Sequence, residues 1–426
     1  MSGVVVSGVG AVTAVGVGAD ALWSLVVSAG GGSAPLSERV PQPPPGLAEL
    51  EPVLLAGLPA YAPEETLGKR GLRTLSREST AFTVASVAAR RDAGLPDGQA
   101  GQAGQGGRES DPSTGVAAGT TSAGLEDYVG LFAGRLERGV ARVNPAQGPQ
   151  TGLNAPASVV SIRTGAAGPN LTLATGRAAA LDALAESARV VRSGVADVMI
   201  AGGAQLLTDP EVRARRSQDP AFGTVRAARP FDRDRSGALP GEAAVSLVLE
   251  DAAAARRRGA PALAELLGAG SAFGGAEPGR RAMVAALSEA GAEPGEVDAV
   301  VLSAPGCPVL DAAEAASVAA LGTGGPPVCA VQGALGDCAG ATGAVQSAVA
   351  VFALRYGLLP GTAGLRVLDP ALAPLTVVRE PEHRAVRRVM VLALDPRGYA
   401  AAVLFGAAPA ADPSPASGPP GPSHAN

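Results

Sequence analysis

GPNLTLATGRAAALDAL, residues 168–184, is the stretch on which the fold is read. Leu171 and Leu173 mark a buried strand that runs through Ala174, Thr175 and Gly176 into an alanine-rich helix. A sharp strand-to-helix turn of this kind presents one side chain to a pocket, with helix N–H groups aimed at whatever sits there. A nucleophile is the residue type that uses such a seat. The residue in it here is Arg177.

Strand-like segments recur on both sides of this turn, at 4–12, 115–118, 159–162, 170–174, 197–201, 245–249, 298–302, 328–331, 389–394 and 401–405, with alanine-rich helical stretches between many of them. This alternation predicts a layered α/β architecture. ADVMIAGGA (196–204) and VDAVVLSAPG (297–306) echo one another, each an acid, a buried strand and a glycine or proline turn, which points to an internal duplication. In VVVSGVGAV (4–12), Gly8-x-Gly10 is followed by Thr13 where a dinucleotide fingerprint has its third glycine, so the pair reads as a tight strand-to-loop turn. A proline-rich loop is expected from Pro41 to Pro63 and a flexible excursion at 97–110.

The chain has 426 residues, 46% of them hydrophobic and 17% charged, enough apolar material for a large core. A net charge of −5, with no basic stripe carrying interleaved aromatics, argues against nucleic acid as a partner. The one dense basic run, Arg256 to Arg258, follows Ala252–Ala255 where cations suit a helix C-terminus. The start lacks a basic n-region and no apolar run reaches the length of a membrane span, so a cytoplasmic protein with no membrane contact is expected. Cys307, Cys329 and Cys338 have no CxxC spacing, and neither a disulfide framework, a metal site nor a cofactor is expected.

Five stretches together resemble the β-ketoacyl synthases of the thiolase fold, in collinear order over residues 3–407. They are VVVSGVGAVTAVGVGADALW (4–23), VNPAQGPQTGLNAPASVVSIRTGAAGPNLTLAT (143–175), ALDALAESARVVRSGVADVMIAGGA (180–204), RPFDRDRSGALPGEAAVSLVLE (229–250) and PVLDAAEAASVAAL (308–321). The resemblance implies a duplicated, five-layered αβαβα fold, with one ketosynthase-like half at 1–250, a second at 251–407, and a disordered proline- and serine-rich tail at 408–426. It also implies a dimer paired through the strand that leads to the nucleophile. The family's catalytic cysteine falls on Arg177. The first histidine of its HGTGTP motif falls on Ser303 in SAPGCP, and the lysine and second histidine of its TKSxxGH motif fall on Gln332 and Asp337 in VQGALGD. Its Gly-Phe-Gly-Gly gating loop is replaced by LDPRGYA (394–400), with Arg397 and Tyr399.

Claisen condensation needs a thiolate and donors that stabilise an enolate and an oxyanion. A guanidinium stays protonated and does not attack a thioester. Ser303 offers one weak donor, Asp337 adds negative charge where an enolate would form, and the two histidines, His383 and His424, lie outside the motifs. Cys307 and Cys338 lack a histidine activator and read as small buried residues, although Arg177 could lower a neighbouring thiol's pKa. The four positions Arg177, Ser303, Gln332 and Asp337 are therefore vestigial. Since the family places its cysteine and second histidine side by side, Arg177 and Asp337 are expected to form a buried ion pair, the alternative being a swing of Arg177 toward solvent or backbone carbonyls. PFDRDRSGALPGE (230–242) reads as a structural charged turn, with Glu242 expected to help position groups at the vestigial site.

A ketosynthase-like chain without its cysteine resembles the chain-length factor (KSβ) of type II polyketide synthases. That resemblance implies a heterodimer with an active ketosynthase, an acyl carrier protein bearing malonyl or polyketide chains as a partner, and a share in the polyketide tunnel. Chain-length factors usually carry glutamine at the former cysteine, so the arginine here departs from any glutamine-dependent priming role. In GTTSAGLEDYVGLFAGRLERG (119–139), Leu125, Tyr128 and Phe132 fall on one helical face and match the helix that abuts the partner's tunnel; periodicity alone fits a core stripe equally. Two other readings stand beside this one. One is a malonyl-thioester decarboxylase or acyltransferase with Arg177 gripping the malonyl carboxylate, and the other is a homodimeric acyl-binding scaffold.

Overall fold

The computed structural model describes residues 3–28, 36–40, 50–96, 110–322, 325–372 and 374–408. Nearly all of the excursion expected at 97–110, part of the proline-rich loop and nearly all of the tail therefore lie outside the described residues. Ten strands carry the fold: β1 (Val4–Thr13), β2 (Thr114–Gly119), β3 (Asn170–Leu173), β4 (Val198–Gln205), β5 (Ala243–Asp251), β6 (Ala264–Phe273), β7 (Ala299–Leu302), β8 (Val328–Ala330), β9 (Arg388–Asp395) and β10 (Tyr399–Ala407). They join edge to edge in the order β8-β7-β9-β10-β6-β1-β5-β4-β2-β3. Read outward from the β6–β1 junction, the two halves have the same strand order. In each, the second strand is parallel to the third and fourth, the fourth antiparallel to the fifth, and the fifth antiparallel to the first.

The helices complete five layers. Helices α1 (Arg77–Asp92), α2 (Leu125–Arg138), α3 (Ala155–Thr164), α4 (Ala179–Arg192), α5 (Asp209–Gln218), α6 (Pro278–Ala290), α7 (Pro308–Ala319) and α8 (Thr342–Tyr356) follow in chain order. α1 lies on β1, β5 and β4, while α6 lies on β6 and β10. α4 and α8 pack on each other between the two halves, α4 against β4 and β2, α8 against β9 and β7. α8 is buried along nearly its whole length, whereas α4 is amphipathic, its apolar face buried and Glu186 and Arg189 turned outward.

The duplication rests on a packing device that the echo of 196–204 with 297–306 does not capture. Those segments build β4 and β7, which occupy different places in their halves; the counterpart of β4 is β9. The true repeat is a glycine pair. A Cβ on Gly8 would stand 2.3 Å from the Ala89 carbonyl oxygen and one on Gly10 2.1 Å from that of Ala85, both on α1. In the second half Gly268 and Gly270 meet the carbonyls of Ala286 and Ala282 on α6 at 2.3 and 2.4 Å. The Gly8-x-Gly10 pair is thus neither a cofactor turn nor a strand-to-loop turn. It lies inside β1 and lets a helix settle onto the strand, as Gly-x-Gly does in β6.

Three other expectations change. Residues 159–162 are helical, not extended, because Pro156 starts α3 and Gly165 ends it left-handed (φ 75°). Their β-branched run is split by the helix, with Val160 fully buried and Ile162 61% exposed. Leu171 and Leu173 are only partly buried, since β3 is an edge strand. Val53–Leu55, inside the proline-rich stretch, pairs with Ser37–Arg39 as a short hairpin.

The two outer edges of the sheet differ. β8 is capped: Val328 donates to the Thr376 carbonyl and accepts from Val378, both at 2.8 Å, and the Ala330 N–H reaches the Thr362 hydroxyl at 3.2 Å. Among the described residues β3 pairs with β2 alone. No helix among them is long and apolar enough to cross a membrane.

Gly10→Ala is expected to lower unfolding free energy by about 1–3 kcal/mol through overpacking against α1. Gly130→Ala, on α2 with nothing within 4 Å of its would-be Cβ, should instead be neutral or stabilising by up to about 1 kcal/mol. Urea melts of the two variants check both.

Candidate functional site

The turn from β3 into α4 is made by Gly176, whose φ of 69° only glycine adopts readily. A Cβ there would fall 1.9 Å from an Asp395 carboxylate oxygen, so the same glycine clears a seat for that acid. The next residue, Arg177, points inward and is 6% exposed. Its Nη1 donates to Asp337 Oδ2 in a buried ion pair, and its Nη2 reaches Gln332 Oε1 at 3.4 Å. The expected pairing is formed, and the swing toward solvent is not. Gln332 in turn donates to Thr342 Oγ1 at 2.9 Å.

Burial works against both charges, and the pair overcomes it. On Arg177, desolvation is outweighed by the charge and hydrogen bond of Asp337, which hold the guanidinium above its ordinary range. On Asp337, burial is outweighed mainly by Arg177, and the carboxyl sits below the usual range. Asp337 also accepts the Ala339 N–H at 3.0 Å, which steadies a left-handed residue there (φ 38°). The neighbouring Cys338 thiol is pushed up, first by burial and then by Asp337, so Arg177 does not activate it.

Asp395, at the end of β9, takes the place of any incoming anion at the turn. Its Oδ2 accepts the Arg177 backbone N–H at 3.1 Å, and Arg397 bonds the same carboxylate at 2.8 and 3.2 Å. Pro396, next after Asp395 in the chain, carries no N–H at all. The donor that a helix N-terminus would offer an oxyanion is thus satisfied internally. Tyr399, from the same segment, donates to Asp182 on α4 at 3.0 Å.

Ser303 follows the last residue of β7 and bonds to α7, not to Arg177. Its hydroxyl donates to Glu314, which also accepts the Ala304 N–H at 2.8 Å and holds Ala304 left-handed (φ 31°). Glu314 is fully buried, and burial pushes its pKa up to about 7, with Ser303 pulling back against it. Asp311, one turn earlier on α7, is pushed up to about 6 by burial. Sequence reasoning missed Asp395 and Glu314. The available signal was an acid in the altered motif LDPRGYA and another in PVLDAAEA, a stretch that keeps the family likeness.

The charged turn 230–242 is structural, as expected. Buried Asp232 accepts the backbone N–H groups of Asp234, Arg366 and Val367 at 2.8–2.9 Å. Glu242, expected to help position groups at the vestigial site, bonds none of Arg177, Ser303, Gln332 or Asp337. It holds the N–H groups of Leu58 and Leu207 at 3.0 and 3.1 Å and pairs with Arg77 at 3.1 Å.

Leu125, Tyr128 and Phe132 form a second cluster on α2, apart from Arg177. They are not a core stripe. Tyr128 is 48% and Phe132 40% exposed, with ring centroids 4.8 Å apart. The apolar line continues one turn further to Leu136, which is exposed.

Comparison with known proteins places these features. The model of the beta-ketoacyl synthase N-terminal domain matches residues 1–255, and that of the C-terminal domain matches residues 269–366. The "Actinorhodin polyketide putative beta-ketoacyl synthase 2" of Streptomyces coelicolor is 35% identical over 59% of this chain and 64% of its own, just under two thirds of its length. The "Putative polyketide beta-ketoacyl synthase 2" of the same organism is 33% identical over 84% of each chain. Among solved structures, a chain of "The ishigamide ketosynthase/chain length factor" superposes with a TM-score of 0.83 at 25% identity, covering 95% of this chain and 99% of that one.

Breaking the buried pair from one side, with Asp337→Ala, should cost about 3–5 kcal/mol in denaturant melts, and replacing both partners by leucine should recover most of it. The raised pKa of Glu314 fixes a sign as well. Its folded pKa lies above the unfolded value of 4.5, so its contribution is complete below pH 4.5 and is lost as pH rises through about 7. Glu314→Gln should therefore flatten the fall in stability between those pH values, read from melts at stepped pH.

Proposed function

The chain belongs to the β-ketoacyl synthase family, in its type II polyketide ketosynthase-like group, and on that premise we propose that it is a chain-length factor. In this reading it is a non-catalytic subunit that pairs with an active ketosynthase and shapes the tunnel holding the growing poly-β-keto chain, which an acyl carrier protein delivers. The observation that carries the reading is the Arg177–Asp337 ion pair, standing where the family keeps its nucleophile and second histidine.

Each part of a condensation site is altered in the same direction. Arg177 has no lone pair to attack a thioester, Gln332 and Ser303 replace a lysine and a histidine, and Asp395 occupies the backbone donor beside the nucleophile's seat. The reading with Arg177 gripping a malonyl carboxylate is disfavoured, because Asp337 and Gln332 already hold both Nη atoms in a buried setting. The open β3 edge and the exposed Tyr128–Phe132 face support a partner subunit over an isolated chain.

Leu125, Tyr128 and Phe132 are then the chain-length residues, limiting the tunnel by occupying its volume. Tyr128→Ala should shift the products of the reconstituted complex toward longer chains, scored by mass spectrometry; an unaltered distribution would retire the role. Arg177→Cys alone should give no thioester condensation, since the oxyanion donor and both former histidine positions remain changed. Native mass of the chain co-expressed with its ketosynthase should give a one-to-one complex. A stable homodimer that ignores the ketosynthase would overturn the proposal.

A further inference from the structure

Three consecutive hydroxyl residues, Thr120, Thr121 and Ser122, join the end of β2 to α2, and each is held by a side chain from a different element. Thr120 donates to Glu78 of α1 at 2.6 Å and itself accepts the Ala123 N–H at 3.1 Å. Thr121 donates to Gln205 at the end of β4. Ser122 donates to Glu211 of α5 at 3.0 Å and accepts from the Gln205 amide at 2.9 Å, which also reaches Glu211 at 2.9 Å. Glu78, Gln205 and Glu211 are all buried. Arg215 completes the ring on Glu211 at 2.8 Å, and Arg39 ties Asp209 of α5 (2.8 Å) to Glu126 in the first turn of α2 (3.7 Å).

Such density of buried polar contact around three loop residues is more than a turn requires. A buried carboxylate or amide left without its partner is costly, so a fully satisfied network fixes one geometry. Gly124 follows at φ 77°, with the Gln150 carbonyl oxygen 2.8 Å from its would-be Cβ, and leaves the loop no slack. From that fixed point α2 projects Tyr128 and Phe132 one and two turns on.

We propose that Glu78, Gln205 and Glu211 are positioning residues for α2: by fixing the Thr120–Ser122 loop they set how far the Tyr128–Phe132 pair reaches toward the partner subunit, and so take part in selecting the length of the polyketide chain. This rests on the chain-length reading above. None of the three touches the chain; each acts through the loop.

Hydrogen exchange on the full-length chain tests the positioning without needing a product. Gln205→Leu and Glu211→Leu should speed exchange at the backbone amides of residues 125–132 by about tenfold while leaving β1 and β9 protected. Glu211→Gln, which keeps an oxygen to accept from Ser122, should return toward the parent rate. Thr121→Val, isosteric and confined to the loop, covers the case in which a leucine variant loses protection everywhere and so has not folded. In the complex with the ketosynthase, the variants with faster α2 exchange should broaden or shift the product lengths, measured beside Tyr128→Ala. Unchanged α2 exchange overturns the proposal, as do parental product lengths where Tyr128→Ala alters them. If Tyr128→Ala itself changes nothing, the chain-length reading falls, and exchange alone decides whether the loop positions α2.

Discussion

A guanidinium in the interior has to be neutralised, and the neutralising group here comes from the other half of the duplicated fold. Arg177 stands at the head of α4 and Asp337 on the loop before α8, the two helices that fill the central layer. The pair therefore closes where the two halves bring the N-terminal ends of α4 and α8 together. The rest of the site is arranged around it. Gln332 takes the second guanidinium nitrogen, Ala339 is held left-handed by the same carboxylate, and Asp395 neutralises the N–H at the start of α4.

Glu314 on α7 accepts from a serine hydroxyl and a backbone N–H, and burial favours its neutral form. Arg177 acts on it only through space and gives its hydrogen bonds to Asp337 and Gln332. The site thus balances as one ion pair plus one acid that titrates near neutrality, a division that follows from which residues can reach one another.

The meeting of Arg177, Gln332 and Asp337 was legible in the sequence because each sits inside a motif whose spacing survives, and the ion pair followed from two positions with opposite charge. Ser303 bonds Glu314 instead. Asp395 was not legible. Its partner lies 218 residues away, and the contact exists only because β9 ends beside the turn after β3. Gly8 and Gly10 misled for a related reason: a glycine pair reads as a turn when the helix it makes room for, at Ala85 and Ala89, is not in view. Val159 to Ile162 carry β-branched side chains, yet the flanking Pro156 and Gly165 set a helix and outweigh that weak preference. β6 passed unnoticed because its own glycines, needed for α6, break the apolar run.

The capped and open edges of the sheet decide what kind of assembly is possible. With both outer strands bare, each copy could add another at either end, and a sheet that already runs unbroken through the molecule would grow into a fibre. Thr362 and the segment around Val378 remove one of those ends, so among the described residues β3 is the outer edge left open, and a second copy or partner paired there would leave no bare edge for a third.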